Sequence, residues 1–191
     1  MAQLDHLLIA DLLRRALAGG QQPWLTITSN SMLPLLARGD QIQLAACSAE
    51  TLPPGEIIVV VAADALLAHR YWRSVTQGGQ TCLITRGDRP LSPDPPWPAA
   101  ACLGRVVARR RGTRTLALTS GSGRRLNAHL AGLARFEEAA FTSVYPAGAR
   151  RWAYWPTRLS RALLLRWGYF SVAVVEFISA RQKDSHVKHQ S

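Results

Sequence analysis

The sequence predicts a mainly β domain flanked by an N-terminal helix and a C-terminal helical segment. Three observations carry this. Between residues 24 and 118, short runs rich in β-formers alternate with Gly, Pro and Asp turns. Ahead of them Leu4, Leu7, Leu8, Leu12, Leu13 and Leu17 recur at largely helical spacing, and Gly19-Gly20 ends the pattern. Behind them the periodicity is helical again, over 126–136 and 159–181. A chain of 191 residues, 48% hydrophobic, can bury one sizeable core with a small appendage and is not disordered. The expected division is a helix over 1–20, a β domain over 21–122 and a basic helical appendage over 123–191.

In chain order, residues 3–18 read as a short amphipathic helix that covers the core or lies on a bilayer. Strands are expected at 24–27, 41–44, 57–62 (the most apolar), 66–73 and 81–85, with Gly78-Gly79 closing a hairpin between the last two. Ser29 to Pro34 bends the chain, since Pro34 disfavours a helical Leu33. Residues 87–99 hold Pro90, Pro93, Pro95, Pro96 and Pro98, so regular structure is not expected there. A final strand pair, 103–108 and 113–118, turns around Arg111-Gly112. Residues 119–125 read as a linker, and 184–191 as a frayed tail.

The formal charge is +11 and uneven: residues 1–122 carry 12 basic and 8 acidic side chains, residues 123–191 carry 11 and 4. The second part is the expected surface for an anionic partner. A membrane surface or membrane protein fits better than nucleic acid, because there is no zinc-finger spacing and no recognition helix beside Arg109-Arg110-Arg111. That run reads as a solvated strand end or turn. The start of the chain lacks the form of an ordinary signal peptide, with Asp5 and Asp11 inside its apolar stretch. The nearest candidate for a membrane span, 162–180, is interrupted by Arg166 and Glu176. The expectation is a membrane-associated protein, peripheral or single-pass. Cys47, Cys82 and Cys102 form no CxxC pair and read as free thiols; neither a disulfide framework nor a structural zinc is expected, and no cofactor.

The chemistry is carried by dispersed residues. Ser31 lies in Ser29-Asn30-Ser31-Met32-Leu33-Pro34, followed by Gly39-Asp40, His69-Arg70, Gly87-Asp88 and Asp94. A serine hydroxyl attacks well only when a neighbour takes its proton. The only lysines are Lys183 and Lys188, in the polar C-terminal tail, so a histidine is the better candidate base. Ser29 and the backbone amide of Ser31 are candidate donors to an oxyanion. Asp88 and Asp94 are both available to orient the imidazole of His69.

The ordered series resembles the signal peptidase I family, within the serine proteases that include the LexA-like self-cleaving repressors. The resembling residues are Ser29 to Pro34 with Leu36, Gly39-Asp40, Gly55, the apolar strand 57–61, His69-Arg70, Thr85-Arg86-Gly87-Asp88, Asp94 and Gly104-Arg105-Val106-Val107. They span residues 24–110. The serine–histidine branch, of archaeal and endoplasmic-reticulum type, is the nearest. The resemblance implies a signal-peptidase/LexA-like β-fold with Ser31 as nucleophile, His69 as general base, Asp94 as the functional aspartate, Asp88 in support and Ser29 assisting the oxyanion hole. Two positions depart from the pattern: Arg89-Pro90 stands where a small residue and Asn are usual, and Asn30 where Gly is usual.

The resemblance further implies cleavage of an extended precursor peptide after small residues, the peptide adding to a strand edge beside residues 24–27. The alternative reading is a catalytically silent, signal-peptidase-like structural or peptide-binding subunit of a membrane complex. A self-cleaving DNA-binding regulator is disfavoured by the absence of a suitably placed lysine and of an N-terminal DNA-binding domain.

Overall fold

A computed structural model describes residues 2–142 and 155–188 of the chain. Helix α1 (Ala2–Ala18) leads into strands β1 (Trp24–Thr26), β2 (Gln41–Ala45), β3 (Ile57–Val61), β4 (Leu66–Gln77), β5 (Gln80–Arg86), β6 (Trp97–Pro98), β7 (Cys102–Arg111) and β8 (Arg114–Ala117). Helices α2 (Gly121–Thr142) and α3 (Trp155–Lys188) follow. The protein is mainly β, as expected.

All strands join one antiparallel sheet in the order β1-β2-β7-β3-β4-β5-β6, with β8 pairing the far end of β7. The sheet is curled into a half-barrel. Register shifts at Gln43/Leu44, Val59/Val60 and Tyr71/Arg73 accompany this curl, because an extra residue on one strand bends and twists the pair.

Strand alternation divides the apolar residues between two clusters. Ile57 and Val59 face Ile42, Leu44, Val106, Met32, Leu35 and Leu36, and this larger cluster is closed by Ala10, Leu13 and Leu17 of α1, Leu126 and Leu130 of α2 and Val172 of α3. Ile58 and Val60 point the other way, to Leu52, Tyr71 and Leu83. The leucine stripe of α1 therefore splits: Leu13 and Leu17 enter the core, while Leu7, Leu8 and Leu12 are exposed.

Four local expectations are corrected. Residues 119–125 are not a linker, because α2 begins at Gly121. The proline-rich stretch is irregular only to Pro96; Trp97–Pro98 pairs with β5, and Ala99–Ala101 forms a 3₁₀ turn. The tail is helical to Lys188; residues 189–191 lie outside the described residues. Arg109-Arg110-Arg111 is not a solvated run. Arg109 is fully buried, donating to the Leu35 carbonyl at 3.0 Å and to Glu176 at 2.7 Å, and Arg111 pairs with Asp40 and Glu176. Glu176 thus joins α3 to the sheet.

Candidate active site

Ser31 follows β1 in a turn braced from within. Asn30 Oδ1 accepts from the Arg38 amide at 3.0 Å, and the Arg38 guanidinium donates to the Thr28 carbonyl at 2.8 Å. Asn30 does not adopt the left-handed backbone that its place of a usual glycine suggested. The Leu33–Pro34 peptide bond is cis, and Met32, Leu35 and Leu36 anchor the turn in the core.

His69 and Arg70 are adjacent on β4 and therefore point to opposite faces of the sheet. His69 pairs across β3 with Ile58 and shares its face; Arg70 pairs across β3 with Ile57 and across β5 with Arg86, on the helix-covered face. This alternation separates the two candidate aspartates. His69 Nδ1 donates to Asp94 Oδ2 at 2.6 Å, while Arg70 makes a two-pronged pair with Asp88 at 2.7 Å on each oxygen. Asp94, not Asp88, orients the imidazole.

With the proton on Nδ1, facing the carboxylate, Nε2 is the acceptor. Ser31 Oγ lies 3.0 Å from it, within range for proton transfer. Ser29 Oγ lies 3.2 Å from Ser31 Oγ. The backbone N–H of Ser31 has no acceptor among the described residues, leaving it available to an oxyanion. His69 is buried and Asp94 partly so, which shields their interaction from water.

Two side chains that sequence reasoning gave no role extend the line. Thr85 Oγ1 donates to Asp94 Oδ2 at 2.6 Å and accepts from Trp97 Nε1 at 2.9 Å. The Asp94 amide also donates to the Thr85 carbonyl at 2.8 Å, so the aspartate is held at both backbone and side chain. Thr85 was visible as part of the ordered series; Trp97 left no sequence signal.

Helices α2 and α3 support the site from behind. Asn127 of α2 accepts from Arg70 Nη1 at 2.8 Å, and the Gly55 carbonyl accepts from the same nitrogen. Arg86 is fully buried and donates to the Ala134 carbonyl of α2 at 2.6 Å. A Cβ at Gly168 of α3 would stand 3.1 Å from Pro34 Cγ, so a small residue there lets α3 press against the turn after Ser31. None of these contacts has a local sequence signature.

Among the described residues no group of three or more His, Cys, Asp or Glu side chains could hold a metal ion. A scan against models of known protein families finds no match to the chain, and neither does a search of curated proteins.

Proposed function

We propose that the protein is a serine endopeptidase of signal peptidase I type that cleaves leader or signal-type peptides after small residues. One observation carries the reading: a partly exposed serine, a buried histidine and an aspartate joined in a single hydrogen-bonded line. Ser31 Oγ attacks the scissile carbonyl carbon while His69 Nε2 takes the hydroxyl proton. Asp94 keeps Nδ1 protonated and stabilises the imidazolium that forms. Charge building on the carbonyl oxygen meets the Ser31 amide and the Ser29 hydroxyl, which rotates away from Ser31 Oγ. The imidazolium then protonates the leaving amine. In the second half, His69 deprotonates a water that cleaves the Ser31 ester.

The peptide adds as a strand to β1. Within the sheet β1 pairs only with β2, so its outer edge offers backbone groups that lead directly to Ser31. The preference for small residues rests on the family resemblance.

The enzyme works in association with a membrane, peripherally or by a single pass. No helix among the described residues is long and apolar enough to cross one. Leu163, Trp167, Phe170, Val174 and Phe177 nevertheless form an exposed stripe along α3, in the segment with the excess of basic residues.

Incubation with precursors bearing small residues at the cleavage site, in lipid or mild detergent, tests the reading. Cleavage is expected from the native chain and is lost in Ser31→Ala and His69→Ala. Cleavage unchanged in both variants rejects the dyad.

A further inference from the structure

An open cavity of about 500 Å³ adjoins Ser31 and is lined by Asn30, Ser31, Arg89, Pro90, Leu91 and Arg161. Two of its walls are arginines and none is acidic. Among the described residues, three carboxylates of the neighbouring segments are already paired: Asp88 with Arg70, Asp94 with His69 and Thr85, and Glu137 with Arg161.

The two arginines are held differently. The Arg89 amide donates to the Ser31 carbonyl at 2.9 Å, so its backbone is tied to the nucleophile itself. Its guanidinium is exposed and has no acceptor among the described residues. Arg161 reaches over from α3, donating through Nε to Glu137 at 2.7 Å and through Nη2 to the Arg89 carbonyl. Its Nη1 has no acceptor among the described residues. Glu137 balances one of the two charges, which leaves the cavity with one uncompensated cation and free N–H groups on both guanidinium forks.

We propose that Arg89 and Arg161 form a carboxylate-binding subsite beside the nucleophile, so that the favoured substrate carries a carboxylate within about three residues of the scissile bond. This rests on the peptidase reading for Ser31. It gives a role to Arg89-Pro90, where the sequence departs from the family pattern: the arginine supplies the fork, and Pro90 with Leu91 supplies an apolar wall. A guanidinium presents paired N–H donors at the spacing of carboxylate oxygens, which a lysine does not. The carboxylate can come from an Asp or Glu side chain or from the peptide's own C-terminus.

The test is binding of dye-labelled, alanine-rich decapeptides to the Ser31→Ala protein by fluorescence anisotropy. One series carries Glu, and a matched series Gln, at each of three positions on either side of the scissile alanine, with an amidated C-terminus. A third series carries Gln and ends in a free carboxylate just beyond the scissile alanine. About tenfold tighter binding of Glu peptides at one or two positions assigns the site to a side chain; the same gain in the third series alone assigns it to a terminus. Either gain is expected to vanish with Arg89→Gln and with Arg89→Glu. Equal binding of all series, no binding by any, or a Glu preference that survives Arg89→Glu overturns the proposal. Turnover by the native chain separates the two readings. Cleavage indifferent to the carboxylate rejects the subsite and keeps the peptidase. Carboxylate-dependent binding without cleavage rejects the peptidase and keeps the subsite.

Discussion

Gly87 lies against Ser31: a Cβ built on it would stand 2.8 Å from the Ser31 carbonyl oxygen, 2.8 Å from Pro90 Cδ and 3.2 Å from His69 Nε2. Only a hydrogen fits between the loop after β5 and the turn after β1. The Ser31 carbonyl and the Pro90 ring are both rigid, so any side chain at position 87 must push the loop and Ser31 apart. Gly87→Ala is expected to lower kcat by about a hundredfold, the scale set by an ångström-sized misplacement of reacting groups. Circular dichroism is expected to remain native. Full activity in this variant contradicts the geometry described for the site.

The two aspartates predict different failures. Asp94→Asn removes the carboxylate that fixes the His69 tautomer and places an amide donor in the same site, and kcat is expected to fall by about 10³ to 10⁴ with little loss of stability. Asp88→Asn leaves the fully buried Arg70 without its counter-charge, and stability is expected to fall by roughly 3–5 kcal/mol. Steady-state kinetics and denaturant midpoints on the pair separate the roles. The reverse pattern would exchange the assignments.

The thiols differ in reactivity. Cys47 and Cys102 stand with their sulfurs 3.8 Å apart. The hydrogen bond from Cys102, helped by the positive charge of Arg105, lowers the Cys47 pKa below that of an ordinary thiol, while the same bond and burial raise that of Cys102. The thiolate is the reacting form, so a lowered value means more reactive sulfur at a given pH. Iodoacetamide followed by peptide mass mapping is expected to modify Cys47 before Cys102. Cys102→Ala removes the donor and is expected to slow alkylation of Cys47 at neutral pH. Faster modification of Cys102, or an unchanged Cys47 rate in the variant, contradicts this.

The exposed stripe of α3 predicts vesicle binding. Sedimentation with phosphatidylserine-containing vesicles is expected to carry the protein down, and added salt to weaken binding only in part, since apolar burial and charge both contribute. The double variant Trp167→Ser, Phe170→Ser is expected to bind several-fold more weakly. Binding equal to the native chain would move the membrane contact elsewhere.

Ser31, His69 and Asp94 are singled out by the ordered series of short motifs that carries the family resemblance, since each motif alone is a weak signal. Spacing alone leaves Asp88 and Asp94 both available to His69, and only the family resemblance makes the choice of Asp94. In the structure the choice depends on which face of β4 each neighbour of the His-Arg pair occupies, and that is set by pairing with β3. The burial of Arg109 departs from the sequence expectation for a related reason. A run of arginines is ordinarily solvated, and the partner that reverses this, Glu176, lies 67 positions away on another helix. In the sequence Glu176 looked like an interruption of an apolar segment. Asn127 carries no signal in the sequence and Arg161 reads only as one basic residue of the C-terminal segment, since contacts between remote elements leave no trace in spacing. The start of α2 was hidden by Ser120, Gly121, Ser122 and Gly123, residues whose local preference is for turns.

On the proposed reading, Ser31 becomes nucleophilic by giving its proton to His69. An alanine-terminated peptidyl phosphonate, which reacts only with an activated serine, measures this directly when the modified residue is located by mass spectrometry. A single adduct on Ser31 is expected, absent from His69→Ala and strongly reduced in Asp94→Asn while both variants keep the native fold. An adduct formed at the same rate in His69→Ala, or none on the folded native chain, would contradict that reading.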